Sequence, residues 1–155
     1  DDNREVRNTF DPDNLKVNEY LYRRVDIEDA AQAHILAMQR AAVLGFGKYI
    51  ISASTPFKKE DLRELRTAAP HVVERLFPDY TEEYARRGWK MVPGIDPVYV
   101  NARARNDLDW NPCYDFGYVL RKLQANEDYR SPLAVAVGAK GYHSQAFSDG
   151  PYPVT

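Results

Sequence analysis

The sequence predicts an α/β fold in which a strand, a helix and a second strand form one unit over residues 24–53. Val25 and Ile27 alternate with polar neighbours, which is typical of a half-buried strand. A helical segment follows as far as Leu44, and the nearly apolar run of residues 48–53 favours an interior strand. Together these three segments have the length and order of a βαβ crossover.

The helix of this unit is predicted to begin after Asp29. Its carboxylate can accept an amide N–H of the first turn, and Gln32 completes the capping-box spacing. Gly45 stands just beyond the predicted last helical residue. A stripe of mostly small residues would let this helix lie close to a sheet: Ala30, Ala33, Ala37, Ala41 and Leu44.

Helices also dominate the predictions for the middle of the chain. Thr55, followed by Pro56, predicts a helix that ends at Pro70. Two short helices are predicted beyond it, over residues 72–77 and 81–87.

The last third begins with a short predicted strand at residues 98–100. Asn101 is expected to cap a short helix through residue 107, and Asp115 a clearer one, because apolar residues then recur at helical spacing. Residues 129–155 are rich in turn formers and are expected to form an irregular tail, which leaves residues 1–128 as the folded portion.

The composition of the chain limits the classes of protein to which it can belong. The chain has 155 residues, of which 44% are hydrophobic and 28% charged, and this suits a single globular domain. A net charge of −2 predicts no nucleic-acid partner, and the absence of a long apolar run predicts no membrane partner. The single cysteine, Cys113, cannot form an internal disulfide, so a cytoplasmic location is expected.

Three segments carry a resemblance to a known family. Residues 25–34 (VDIEDAAQAH) are similar to the V-D-x-x-D-x-A-x-A segment of the extended short-chain dehydrogenases/reductases, the NAD-dependent epimerase/dehydratase family. Residues 49–51 (YII) resemble its next strand, and residues 98–112 (VYVNARARNDLDWNP) resemble its late D-x-S-K-A-x-x-x-L-G-W-x-P motif. Val100, Arg103 and Asp109 replace the Asp, Lys and Gly of that motif.

The resemblance implies a chain that corresponds to the C-terminal half of such an enzyme. It would supply an incomplete Rossmann-type portion with the last sheet strand, together with a small, mostly helical substrate-binding lobe. NAD or NADP would be bound by the N-terminal half, which also carries the family's catalytic residues, so no catalytic or cofactor-binding residue is assigned to this chain. We therefore expect a fragment, or a chain trimmed at its front, that is inactive alone and pairs with the missing half or with itself.

Arg23 and Arg24 are the candidate substrate-binding residues. In relatives that act on nucleotide-sugars, an arginine seven places before the helix-capping aspartate grips the diphosphate; here that position is Tyr22, with the arginines just after it. A second family arginine corresponds to Val92, which cannot bind phosphate. The resemblance thus favours a sugar-like or other small hydroxyl or carbonyl substrate. A solvated position for both arginines stays equally open.

Other patterns that resemble catalytic or binding motifs are interpreted as structural. Tyr118 and Lys122 match the family's Tyr-x-x-x-Lys pattern, but they follow its late motif and predict only a surface helix. Residues 138–141 are read as a tail turn rather than a phosphate loop. His34 is expected to be partly buried, and the histidines and Cys113 have no partners at metal-ligand spacing, so no metal site is predicted.

Two functions from different classes remain open at this point. The chain is either the substrate-binding portion of an NAD(P)-dependent oxidoreductase, epimerase or dehydratase, or a free-standing, non-catalytic binding or scaffold domain derived from that family. A nucleotide-binding segment elsewhere in the encoded protein would favour the first. The sequence does not distinguish NAD from NADP, or reduction from epimerisation and dehydration.

Overall fold

The structure is a computed structural model that describes residues 9–138, and within this range the regular elements are all helical. No strand occurs between residues 9 and 138. In chain order, the helices are α1 (Pro12–Glu19), α2 (Ile27–Leu44), a 3₁₀ turn (Lys59–Asp61), α3 (Leu62–Leu76), α4 (Tyr80–Arg87), α5 (Ala102–Leu108), α6 (Phe116–Gln124) and α7 (Pro132–Val137).

The predicted α/β fold is therefore wrong, and so is the expected incomplete Rossmann-type portion with its last sheet strand. The all-helical fold of residues 9–138 also conflicts with the short-chain dehydrogenase/reductase family that the three segments resemble, because members of that family are built on a Rossmann-type sheet. Residues 46–58 and the predicted strand at 98–100 run without regular structure. Backbone bonds between these segments are isolated: the Ala53 N–H donates to the Arg24 carbonyl at 2.7 Å, and the Tyr99 N–H to the Tyr22 carbonyl at 2.8 Å. A sheet needs consecutive ladder bonds, and apolar side chains that alternate over a few residues do not by themselves supply them.

Helix α2 begins earlier than predicted, which removes the expected first strand. Its N-cap is Asp26, whose carboxylate accepts the Glu28 N–H at 2.8 Å. The helix ends as predicted, with Leu44 as its last residue and Gly45 at a φ of +63° beyond it.

The main hydrophobic core lies between α1, α3, α4 and α6. Phe77 and Phe116 meet edge to face with ring centroids 5.0 Å apart, a favoured aromatic geometry. Fully buried aliphatic side chains from three of these helices fill the centre: Val17, Leu65, Val72, Val73 and Val119. These contacts hold together the helices from which the site described below is built.

Helix α3 is kinked where the sequence predicted a helix end. Ala68 has non-helical angles (φ −145°, ψ 45°) two residues before Pro70, whose ring is incompatible with a regular preceding turn. The kink frees backbone groups, which the loop after α4 satisfies. Ile95 N–H donates to the Leu65 carbonyl at 2.8 Å, and Ala69 N–H donates to the Pro93 carbonyl at 3.2 Å.

A second, smaller core, here called the motif core, consists of Ala33, Ala104, Leu108 and Trp110. It joins α2 to α5, so the small-residue face of α2 packs on a helix and not on the predicted sheet. The predicted helices at α4, α5 and α6 are confirmed. Asp115 caps α6 as expected, its carboxylate accepting the Tyr118 N–H at 2.8 Å.

The tail that was expected to be irregular contains α7, which Ser131 caps through its hydroxyl oxygen and the Ala134 N–H. Residues 139–155 lie outside the described range, and the division at residue 128 stays a prediction. Within residues 9–138, none of the helices is both long enough and apolar enough for a membrane crossing.

Candidate functional site

The two predicted substrate-binding arginines follow α1 and share one carboxylate. Arg24 Nη1 lies 2.9 Å from Glu19 Oε2, and Arg23 Nη2 donates to Glu19 Oε1. Glu19 is only 7% exposed, and its carbonyl also accepts both arginine backbone N–H groups. Both arginines are thus positioned by one buried carboxylate, while their side chains stay partly exposed to solvent.

The two side chains have different surroundings, and of the two only Arg24 lines the groove described next. The Arg24 guanidinium lies 5.8 Å from the Tyr20 ring centroid, whereas that of Arg23 lies 5.1 Å from the ring of Tyr22. Arg24 lines an open groove of about 680 Å³, and Arg23 does not. The two residues are about equally exposed, at 35% and 37% of the side chain, which makes them a matched pair for experiment.

The groove lies where the ends of four helices meet the segment before α7. Its volume is in the range of small-molecule sites. The polar residues that line it are Asp13, Lys16, Arg24, Asp26, Arg87, Asn126, Glu127, Asp128 and Arg130. Aromatic and aliphatic side chains complete it, among them Tyr20, Trp89, Tyr129, Ile27 and Leu123.

Ion pairs fix the cationic side chains of the groove. Lys16 pairs with Asp13 at 2.9 Å and Arg130 with Asp128 at 2.6 Å. Hydrogen bonds from Arg130 hold the pKa of the Asp128 carboxyl below its usual value, so this pair stays charged near neutral pH.

Arg87 is held in the same way, from behind the groove. It donates to Glu83, a residue only 5% exposed, and to the Leu123 carbonyl at 2.8 Å. Its guanidinium also lies 5.3 Å from the Trp89 ring centroid. The groove therefore presents fixed ion pairs beside aromatic rings.

The aromatic wall combines buried and accessible rings. Tyr20 and Tyr129 meet edge to face with centroids 6.3 Å apart. Burial raises the pKa of Tyr129 to about 12, so its phenol stays protonated and can donate a hydrogen bond at neutral pH. Trp89 is half-buried and is one of the residues that line the groove.

Two buried carboxylates at the start of α2 join this groove to the motif core. Asp26 accepts the Ser131 N–H at 3.2 Å in addition to its capping bond. Asp29, predicted as the cap, instead accepts the backbone N–H groups of Cys113 and Tyr114, at 2.8 and 3.0 Å. Burial raises the pKa of Asp29, although the two N–H groups act in the opposite direction.

The three segments that carry the family resemblance meet in the motif core. Ala33 of the first segment packs with Leu108 and Trp110 of the third, and Tyr49 and Ile51 of the second pack against them. The Trp110 indole N–H donates to the Asp29 carbonyl at 3.1 Å. Segments up to eighty residues apart in the chain are thus brought into one packed unit.

The other chemical patterns show no site among the described residues. Tyr118 and Lys122 share α6, but the Lys122 ammonium pairs with Glu127. His34 is exposed, contrary to prediction, and Nδ1 of its ring lies 2.7 Å from the Ala30 carbonyl oxygen. No cluster of metal-ligating residues occurs in residues 9–138, and of residues 138–141 only Gly138 is within that range.

Sequence reasoning missed most of the groove. Trp89, Asp128 and Tyr129 were not singled out, although an aromatic residue between two opposite charges in Asp128-Tyr129-Arg130 is a recognisable pattern. Trp89 follows the Gly88 helix end and had no local signal that pointed to a ligand.

Comparisons with known proteins add no relative. No family model matches the chain, and the comparisons with curated proteins and with solved structures likewise give no match.

Proposed function

We propose that this chain is the substrate-binding portion of an NAD(P)-dependent oxidoreductase, acting on a sugar-like or other small hydroxyl or carbonyl substrate. The observation that carries the proposal is the motif core, because the three resembling segments pack on one another there. In this proposal the chain contributes substrate binding alone, and NAD or NADP would be bound by a separate nucleotide-binding half.

The groove is the proposed substrate site, with Arg24 as its arginine. It is joined to the motif core through Asp26 and Asp29, three residues apart at the start of α2. Arg24 and the protonated Tyr129 phenol are donors suited to a hydroxyl or carbonyl oxygen. Arg23 has no part in this site.

The second face of α2 is the proposed contact with the nucleotide-binding half. On the side opposite Asp29 and Ala33, an uncharged row here called the outer stripe runs along the helix: Ile27, Ala31, Ile35, Met38 and Ala42. Met38 is 72% exposed and Ile35 48%. Ile27 lines the groove as well, so a partner on the outer stripe would reach the substrate site.

A nicotinamide assay tests this division of roles. The 155-residue chain alone should give no saturable change in NADH or NADPH fluorescence, whereas its assembly with a nucleotide-binding half should reduce or oxidise a substrate with the nicotinamide. Micromolar nicotinamide binding by the chain alone would contradict the proposal. In the assembly, Arg24→Ala should lower kcat/KM about tenfold or more, with Arg23→Ala as the matched control.

A sedimentation measurement tests the outer stripe. Met38→Asp should abolish pairing with the nucleotide-binding half without changing the thermal stability of the chain alone. Wild-type chain that forms stable dimers, lost in the same variant, would assign the stripe to a second copy instead.

A free-standing binding domain is the second candidate, favoured by the self-contained groove, whose walls come from described residues of this one chain. That function requires ligand binding by the chain alone and no nicotinamide-dependent turnover in any assembly. In either case we propose a cytoplasmic location, because the single cysteine of the sequence cannot form an internal disulfide.

A further inference from the structure

We infer that the groove binds an uncharged, polyhydroxylated ligand such as a saccharide, in preference to a phosphorylated one. The inference deepens the proposed function and rests on it for the role of the groove as substrate site. It is argued from the side chains that line the groove.

The described lining of the groove has no net formal charge. Its described lining has four cations and four carboxylates: Lys16, Arg24, Arg87 and Arg130, with Asp13, Asp26, Glu127 and Asp128. Glu19 and Glu83 stand directly behind two of the arginines. A wall of zero formal charge backed by further carboxylates does not attract a phosphate dianion.

All four cations of the groove already have carboxylate partners. Lys16 and Arg130 pair with carboxylates of the groove itself, whereas Arg24 and Arg87 pair with buried carboxylates behind it. A phosphate would therefore compete with an ion pair at each position. Phosphate sites instead present guanidinium or ammonium groups aimed at the ligand.

The aromatic and polar side chains of the groove suit the two kinds of surface that a sugar ring presents. A saccharide presents apolar C–H faces and a rim of hydroxyl groups that both donate and accept hydrogen bonds. The half-buried Trp89 and Tyr129 rings suit the faces, because aromatic side chains combine apolar area with polar edges. The Asp128 carboxylate and the Asn126 side-chain NH2 group are both exposed in the groove and suit the hydroxyl groups, and the Asp128 and Asn126 oxygens also accept bonds from Arg130 and Arg86.

The volume is consistent with this class. About 680 Å³ accommodates a monosaccharide or disaccharide with its hydration water, and sites for small molecules span roughly 300–1,000 Å³.

The test compares the binding of neutral sugars with that of phosphorylated compounds by two-dimensional NMR on the 155-residue chain, without nicotinamide. The probes are glucose, galactose, xylose and cellobiose, together with glucose 6-phosphate and UDP. At least one neutral sugar should shift the Trp89 indole and Tyr129 amide signals, and glucose 6-phosphate should bind no more tightly than glucose. The inference is overturned if no neutral sugar shifts these signals, or if a phosphorylated probe binds about tenfold more tightly.

A charge variant makes the test specific. Asp128→Asn releases Arg130 within the groove and should raise the affinity for glucose 6-phosphate about tenfold, with no gain for glucose. Asp107→Asn is the matched control, because it releases Arg103 outside the groove. Equal behaviour of the two variants would contradict the ion-pair argument.

The outcome is separable from that of the proposed function. Sugar binding in the groove without nicotinamide-dependent turnover in the assembly would leave this inference standing and refute the oxidoreductase role. Turnover of a phosphorylated substrate in the assembly would do the reverse.

Discussion

The Ile95 N–H donates to the Leu65 carbonyl, an acceptor that the kink at Ala68 withholds from the helix itself. The loop between α4 and α5 thereby completes α3, and Gly94 sits where the two backbones approach most closely. A Cβ on Gly94 would lie 2.5 Å from the Arg66 carbonyl oxygen. Since that atom belongs to the backbone, the contact cannot be relieved by a rotamer change.

Gly94→Ala is therefore expected to destabilise the chain by about 1–3 kcal/mol, the usual cost of overpacking. Chemical denaturation of the 155-residue chain measures it. Gly117→Ala is the control: a Cβ there has only ordinary contacts, at 3.4 Å or more, and alanine favours the surrounding helix. Equal stability of the Gly94 variant and wild type would rule out the close approach.

Asp29 is expected to stabilise the turn after Trp110 through its two backbone bonds. Asp29→Ala leaves the amides of Cys113 and Tyr114 without this acceptor and should cost about 1–3 kcal/mol. Asp29→Asn should restore only part of this loss, because its amide oxygen still accepts one N–H group while its NH2 group faces the other. Glu28→Gln in the same helical turn is the control, and thermal melts of the three variants decide the order.

The helices could be predicted from the sequence where cap and apolar spacing lie within one segment, as for Asp115 and the residues after it. The absence of strands could not be predicted in this way. The alternation of polar and apolar residues around Val25 indicates which side chains are buried, but not whether the backbone pairs with a neighbouring strand. Asp29 shows the same limit. Its capping-box spacing with Gln32 is local, whereas its actual partners, Cys113 and Tyr114, are more than eighty residues away.

The groove was still less predictable, because its walls come from both ends of the described chain. Lys16 and Arg130 reach it only through the packing of α1 against α6. Arg24 was singled out from the sequence because it stands beside a segment that resembles a family motif, and its role in substrate binding stays a prediction. Trp89 and Tyr129 have no such neighbour, and their proximity to Arg24 is a property of tertiary packing alone.

Stability should fall in acid through Glu83. Burial acts to raise the pKa of Glu83, but bonds from Arg86 and Arg87 outweigh it and place the folded pKa below the usual 4.5. The unfolded chain therefore binds more protons between these two values, and the stabilisation is complete above pH 4.5 and is lost as the pH falls through the folded pKa.

Glu83→Gln should remove this contribution, so the variant should be less stable than wild type near neutral pH and approach it in acid. Denaturation curves between about pH 7 and pH 3 measure the difference. Glu82→Gln, at an exposed position of the same helix, should run parallel to wild type throughout. A constant difference between Glu83→Gln and wild type across the range would contradict the assignment.

The tight contact between α2 and α5 gives the last prediction. Ala33 is 2% exposed and faces Ala104, Leu108 and Trp110, which are all buried. Ala33→Leu adds three carbon atoms to a contact without room for them, so it should lower the free energy of unfolding by about 1–3 kcal/mol. Ala42→Leu places the same atoms on the exposed outer stripe and should change stability by no more than about 0.5 kcal/mol. If both leucine variants unfold at the same denaturant concentration as wild type, the small-residue face of α2 does not pack on α5.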